Sequence, residues 1–199
     1  MMNGYQTAGL AILAVYYGAY FIKLFGQKRK GIKTTQFGMG VKAKRTVIIE
    51  RILQVVSVLT VIAEVLSVGC NAGNMLLKEI RIFGLLMAVL GTAVFIVAMF
   101  TMQESWRAGI PESRDTKLVT RGIYKVSRNP AFLGFDLVYI GLGIAFFNIW
   151  MCVISVVGII MMHLQILEEE KFLREVFGEE YAWYQKKTGR YIGFRNGIF

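Results

Sequence analysis

Two polar segments of this sequence hold residues whose types and spacing suit chemistry. The first is Lys117-Leu-Val-Thr-Arg-Gly-Ile-Tyr-Lys-Val-Ser-Arg-Asn-Pro-Ala-Phe-Leu-Gly134. Pro130 suits the first position of a helix, and Asn129 suits the N-cap before it. A helix starting there presents unpaired backbone N–H groups and the positive end of its dipole, a place for a carboxylate or another anion. Arg128 adds a fork-shaped donor beside it. The plain alternative is a capped helix with a basic flank, and this segment alone does not separate the two.

The second segment is His163-Leu-Gln-Ile-Leu-Glu-Glu-Glu-Lys-Phe-Leu-Arg-Glu-Val-Phe-Gly-Glu-Glu-Tyr181. Gln165 and Glu169 are four residues apart and share one helix face. If that face looks at Pro130, donors and carboxylates flank one pocket, which suits a zwitterionic or cationic small molecule. A solvated charged helix fits some of Glu168, Glu169 and Glu170, and is expected to hold for at least one of the three.

The elements that must position these segments are apolar. Of 199 residues, 55% are hydrophobic and only 18% charged, with a mean hydropathy of +0.52. A hydrocarbon core of about 30 Å takes roughly 20 helical residues. Stretches of that kind run over about Thr7–Phe25, Thr46–Val68, Ile80–Met102, Ala131–Phe147 and Ile149–Leu167. Helix is the expected state, because unpaired backbone is costly in lipid and the stretches lack strand alternation. The last two meet at Asn148 and predict a tight antiparallel hairpin. The expected fold is an all-α integral membrane protein with five transmembrane helices, that hairpin, and a cytoplasmic amphipathic C-terminal helix.

A single unit over residues 1–199 is expected, since no linker, repeat or low-complexity run interrupts it. Within it, 1–102 reads as supporting helices, and 103–199 as the cofactor-binding loop, hairpin and C-terminal helix. The N-terminus lacks the basic flank of a cleavable signal peptide.

Lys and Arg cluster between the first two stretches, between the third and fourth, and after the fifth, while the other connections hold only Lys78 and the flanking Arg81. This asymmetry places the N-terminus outside and the C-terminus in the cytoplasm of a cell membrane. The net charge of +10 is accounted for by topology and anionic headgroups. It calls for no nucleic acid, and no protein partner is evident. Cys70 and Cys152 fall near the expected outer face. A disulfide is open to them, though two small buried hydrophobes are favoured. His163 is the single histidine, without a companion at metal-ligand spacing, so no metal is expected.

At the two polar segments the sequence resembles the isoprenylcysteine carboxyl methyltransferase and phospholipid methyltransferase superfamily of membrane enzymes. The matching pieces are Leu118-Val119-Thr120-Arg121-Gly122-Ile123-Tyr124, Arg128-Asn129-Pro130-Ala131-Phe132, Glu169-Glu170-Lys171-Phe172-Leu173 and Phe177-Gly178-Glu179-Glu180-Tyr181. Their order around a hairpin carries the likeness, which covers about the C-terminal half.

The resemblance implies methyl transfer from S-adenosylmethionine to a small or lipidic membrane-soluble acceptor. It implies a cofactor pocket at the cytoplasmic mouth of the hairpin, with contacts from Lys117, Leu118, Val119, Tyr124, Asn129, Pro130, Ala131, Phe132 and Glu169. Arg128, Asn129 and Glu169 are the catalytic candidates. Gln165, Asp136 and Arg107 are the acceptor-binding candidates.

Two departures matter. Asn129 stands where the family carries histidine, and asparagine does not titrate near neutral pH. Gln165 stands where the isoprenylcysteine enzymes carry an arginine, which argues against a prenylcysteine carboxylate as acceptor. Arg107 is a possible replacement cation, or else an interfacial anchor.

An intramembrane carboxylate is a functional candidate by default. Asp136 is expected either to line the acceptor pocket or to pair with Arg51, and Glu64 to pair with Arg81 or reach the interface. Two other readings compete: an NADPH-dependent membrane reductase of sterol-reductase-like architecture, and a non-catalytic scaffold.

Overall fold

The computed structural model of the protein describes residues 2–38, 42–110 and 117–193. Arg114 and Arg195, counted in the charge pattern, lie outside them. Five α-helices follow in order: α1 (Gly4–Arg29), α2 (Lys44–Gly69), α3 (Lys78–Met102), α4 (Pro130–Ala145) and α5 (Ile149–Lys187). Among the described residues there is no strand, only an isolated parallel bridge between Thr35 and Ala108.

Each apolar stretch forms one helix. The ends are set by local chemistry. Asn3 and Gln6 form a reciprocal capping box at the start of α1, and Asn148 Oδ1 accepts the Trp150 N–H at the start of α5 (2.9 Å). Four helices are long and apolar enough to cross a membrane: α1, α2, α3 and α5. The fourth stretch is shorter than expected. Phe146 and Phe147 fall outside α4, whose 16 residues reach roughly 24 Å.

The connection of the hairpin is short and its arms touch, but each packs more on another helix: α4 chiefly on α3, and α5 on α2. The reason lies in the small residues. A Cβ on Gly84 would sit 2.5 Å from the Gly141 carbonyl oxygen, and one on Gly91 would sit 2.7 Å from that of Gly134. Glycine lets the α3 and α4 backbones touch, the close approach that drives helix pairing in lipid.

The C-terminal helix follows the apolar part of α5 across a kink. No Gly or Pro interrupts the chain between Leu167 and Phe177, so α5 runs on and bends only at Gly178 (φ 50°, ψ −122°), a conformation suited to glycine. Beyond the bend Tyr181 and Tyr184 are buried, and the Tyr184 hydroxyl donates to the Tyr124 carbonyl (2.6 Å).

Two expected ion pairs do not form. Arg81 donates to the Ala145 carbonyl and to Asn71, and its guanidinium lies over the Tyr5 and Phe146 rings. Glu64 instead accepts the Tyr17 hydroxyl. Asp136 does not pair with Arg51, and its Oδ1 is buried without a hydrogen-bond partner. Cys70 and Cys152 are free thiols, Cys70 exposed.

Candidate active site

Three consecutive glutamates leave the apolar part of α5 in three directions, because each residue turns about 100° around a helix. Glu168 reaches α2, accepting the Thr46 hydroxyl (2.6 Å) and lying 3.4 Å from Arg45. Glu169 lines a cavity. Glu170 is buried and lies 3.2 Å from Arg128 Nη2 and 2.9 Å from Arg190 Nη2. The Glu170 carboxylate raises the Arg190 guanidinium above its ordinary value, chiefly through their hydrogen bonds.

Arg128 is the less satisfied of the two arginines. Its side chain is 5% exposed, yet Nε and Nη1 have no hydrogen-bond partner. Buried donors without acceptors are costly, and this side chain lines the same cavity as Glu169. It can therefore take a carboxylate from a ligand while Glu170 holds its other edge.

Asn129 occupies the N-cap position of α4, but its side chain does not cap. Its Nδ2 donates to Glu170 Oε1 (3.3 Å) and to the Arg190 carbonyl (3.2 Å). That corrects the expected capping role. With no side-chain cap, the first-turn N–H groups of Ala131 and Phe132 are left for another acceptor. The segment after α5 pins this loop from behind: Arg128 N–H donates to the Gly189 carbonyl (3.0 Å), and Gly193 N–H to that of Val126 (3.1 Å).

The cavity has a volume of about 130 Å³. Lys117, Leu118, Val119 and Tyr124 line it, with Asn129, Ala131, Phe132 and Glu169. Pro130 alone of the nine expected contact residues is not on the wall; it is buried at the first position of α4. Phe172, Leu173, Tyr181 and Tyr184 also line the cavity. They fall inside or beside the matched motifs, where a Phe-Gly-x-x-Tyr spacing was the available signal. Gly122 (φ 59°) turns the loop against Thr101, and burial pushes the Tyr124 hydroxyl up.

A second cavity of about 370 Å³ adjoins the first. Tyr16, Tyr17 and Tyr20 of α1 line it, with Leu53, Gln54 and Ser57 of α2, Phe135 and Tyr139 of α4, and Met162 and Gln165 of α5. Residues of α1 and α2, expected as support, thus form much of its wall. The two cavities share Trp106, Arg107, Gly109, Ala131, Phe132 and Glu169.

Gln165 Nε2 donates to Glu169 Oε1 at 3.1 Å, as their spacing requires, and Gln165 Oε1 is left buried without a partner. Glu169 lies past the apolar stretch that ends at Leu167. Burial pushes its carboxyl up to about 7, against the opposing Gln165 hydrogen bond. Arg107 donates to the Glu104 and Trp106 carbonyls, and desolvation lowers its guanidinium. Asp136 lines neither cavity.

Glu50 escaped the sequence reading. It is fully buried and accepts N–H groups from Gly38 (2.6 Å) and Ile110 (3.0 Å) and the ammonium of Lys42. One carboxylate thereby ties two loops that roof the shared region. A carboxylate at the start of a membrane helix was the only sequence signal for it.

Known proteins resemble the chain over this same part. The family model for phospholipid methyltransferase matches residues 80–180, just over half of the chain. Protein-S-isoprenylcysteine O-methyltransferase B of Arabidopsis thaliana is 31% identical over 117 residues, covering 57% of this chain and 59% of that protein. The enzyme of Saccharomyces cerevisiae is 32% identical over 120 residues, covering 59% of this chain and 50% of its own length. That of Homo sapiens is 33% identical over 129 residues, covering 61% and 45%. The chain thus spans about half the length of the curated relatives it matches. The family match covers α3, the cavity loop, α4 and most of α5, so the sequence, the fold and the site converge: the chain belongs to the phospholipid methyltransferase family.

Proposed function

We propose that the protein transfers a methyl group from S-adenosylmethionine to a small or lipidic acceptor dissolved in the membrane. The observation that carries this reading is the junction of the two cavities. The smaller one is lined by the motif residues and by a buried, half-satisfied arginine, and the larger one is lined mostly by apolar and aromatic side chains of four helices. They meet at Phe132, Arg107 and Glu169.

The residues of the smaller cavity fit the donor. Arg128 Nε and Nη1, with the free N–H groups of Ala131 and Phe132, would hold its carboxylate. Glu169 would hold a cationic part, and Tyr124 or Phe132 would pack on the adenine. When bound, S-adenosylmethionine supplies an activated methyl group on a sulfonium. The chain then needs little acid–base chemistry of its own; positioning and exclusion of water do most of the work. Asn129 supports the loop through Glu170 and Arg190 and acts as no base. Trp106 and Phe132, at the junction, keep it dry. Arg107 is the cation there, in the place where Gln165 offers none, and would orient an anionic end of the acceptor.

This reading takes α4 as a fifth span, closed on α3, with the N-terminus outside and the cavity mouth in the cytoplasm. It takes residues 1–199 as one methyltransferase domain. The donor arrives from the cytosol and the acceptor sideways from the bilayer.

Calorimetric titration of the purified protein with S-adenosylmethionine and, separately, NADPH tests the reading. S-adenosylmethionine should bind and NADPH should not. Binding of NADPH alone, or of neither, overturns it.

A further inference from the structure

The larger cavity extends along α2 away from the junction. Leu53, Ser57 and Val61 line it, and Glu64, one turn beyond Val61, lies on the same helix face just past the lining residues. From Leu53 to Glu64 the helix rises roughly 16 Å. At this inner end the wall changes character. Tyr16, Tyr17 and Tyr139 line the cavity, and Tyr17 donates its hydroxyl to Glu64.

Two polar atoms at this end are unsatisfied. Tyr16 is 1% exposed and Glu64 0%, and neither the Tyr16 hydroxyl nor Glu64 Oε1 has a hydrogen-bond partner. Helix packing does not require them. A phenylalanine would fill the place of Tyr16, whose ring already packs edge-on against Tyr17, Phe95 and Phe135. A carboxylate in a membrane helix is costly unless its oxygens are met, and Arg81, the expected partner, is engaged elsewhere.

Resting on the reading of this cavity as the acceptor chamber, we propose that Tyr16, Tyr17, Glu64 and Tyr139 form a polar subsite for a hydroxyl or amino group at the far end of the acceptor's apolar body. Such a group donates to Glu64 Oε1 and exchanges a hydrogen bond with the Tyr16 hydroxyl, so both orphan atoms are met at once. Tyrosine rings around a carboxylate also accommodate a protonated amine. The acceptor is then held at two ends: its nucleophile at Glu169 and Arg107, its polar tail at Glu64. A purely hydrocarbon tail would leave Glu64 Oε1 and the Tyr16 hydroxyl buried without partners, and is discriminated against.

The test uses the full chain in nanodiscs without methyl donor. Dodecane, dodecanol and dodecylamine serve as probes, and the shift in thermal unfolding midpoint is read as apparent affinity. Dodecanol or dodecylamine should bind at least tenfold more tightly than dodecane, the worth of about one buried hydrogen bond. Tyr16→Phe and Glu64→Gln should each erase most of that preference while leaving dodecane binding unchanged. Tyr16→Phe removes only an unpartnered hydroxyl, so it should unfold no earlier than the parent protein. Equal binding of the three probes, or a preference that survives in both variants, overturns the subsite. S-adenosylmethionine titration of the same preparations reports on the functional reading separately. Loss of donor binding sinks that reading, whereas loss of tail selectivity alone sinks only this subsite.

Discussion

Arg128 and Glu169 occupy opposite roles in one cavity. Arg128 has two buried nitrogens, Nε and Nη1, without acceptors. Arg128→Ala should weaken S-adenosylmethionine binding by roughly tenfold to a hundredfold, the range for hydrogen bonds to a charged group, with the fold kept because Arg190 still neutralises Glu170. Circular dichroism beside calorimetry separates the two effects. Glu169→Ala should abolish measurable donor binding in a protein that still folds.

Glu169 also sets a pH dependence. Burial raises its carboxyl to about 7, and holding a cation needs the ionised form. Proton loss must then precede binding below that value, so affinity should fall up to about tenfold per unit as pH drops below 7, and level off above it. In Glu169→Gln that slope should vanish. A slope that persists in the variant would assign the titration to another group.

At the scale of elements, the α3–α4 contact is the most sensitive joint. A Cβ on Gly141 would lie 2.6 Å from the Ala88 backbone nitrogen, whereas one on Gly143 meets nothing within 4 Å. Gly141→Ala should therefore destabilise by about 1–3 kcal/mol through overpacking. Gly143→Ala should be neutral or stabilise by up to about 1 kcal/mol, since alanine is the better helix former. Unfolding midpoints in one detergent decide this. The Gly-rich face of α4 was visible in the sequence, but its partner was not. Gly84 and Gly91 signal a close approach without saying which helix makes it.

Across the whole molecule, one carboxylate ties the roof of the site. Glu50→Ala would strand Lys42 and two backbone N–H groups, Gly38 and Ile110. Loss of a buried pair's partner costs about 3–5 kcal/mol, and it should loosen donor and acceptor binding together, read by calorimetry after refolding is verified. Topology offers an independent check. Cys70 is exposed in the connection between α2 and α3. With the N-terminus outside, an impermeant maleimide should label Cys70 in intact cells, and Cys70→Ser should remove the label. Labelling only after cell lysis would invert the orientation.

The helices and the chemistry-bearing segments were legible in the sequence, because hydrophobic runs and motif spacing act locally. Tyr124, Phe132 and Glu169 were legible through the motif spacing, and they line one cavity. Packing settled whatever depends on which surfaces meet. It set α4 most closely against α3, because glycines let those two backbones touch. It turned Asn129 from a cap into a strut, because Glu170 and Arg190 lie within reach. It gave Glu64 to Tyr17 rather than Arg81, and it brought α1 and α2 into the wall of a cavity. A spacing of three or four residues fixes what shares a helix face; only packing fixes what that face looks at.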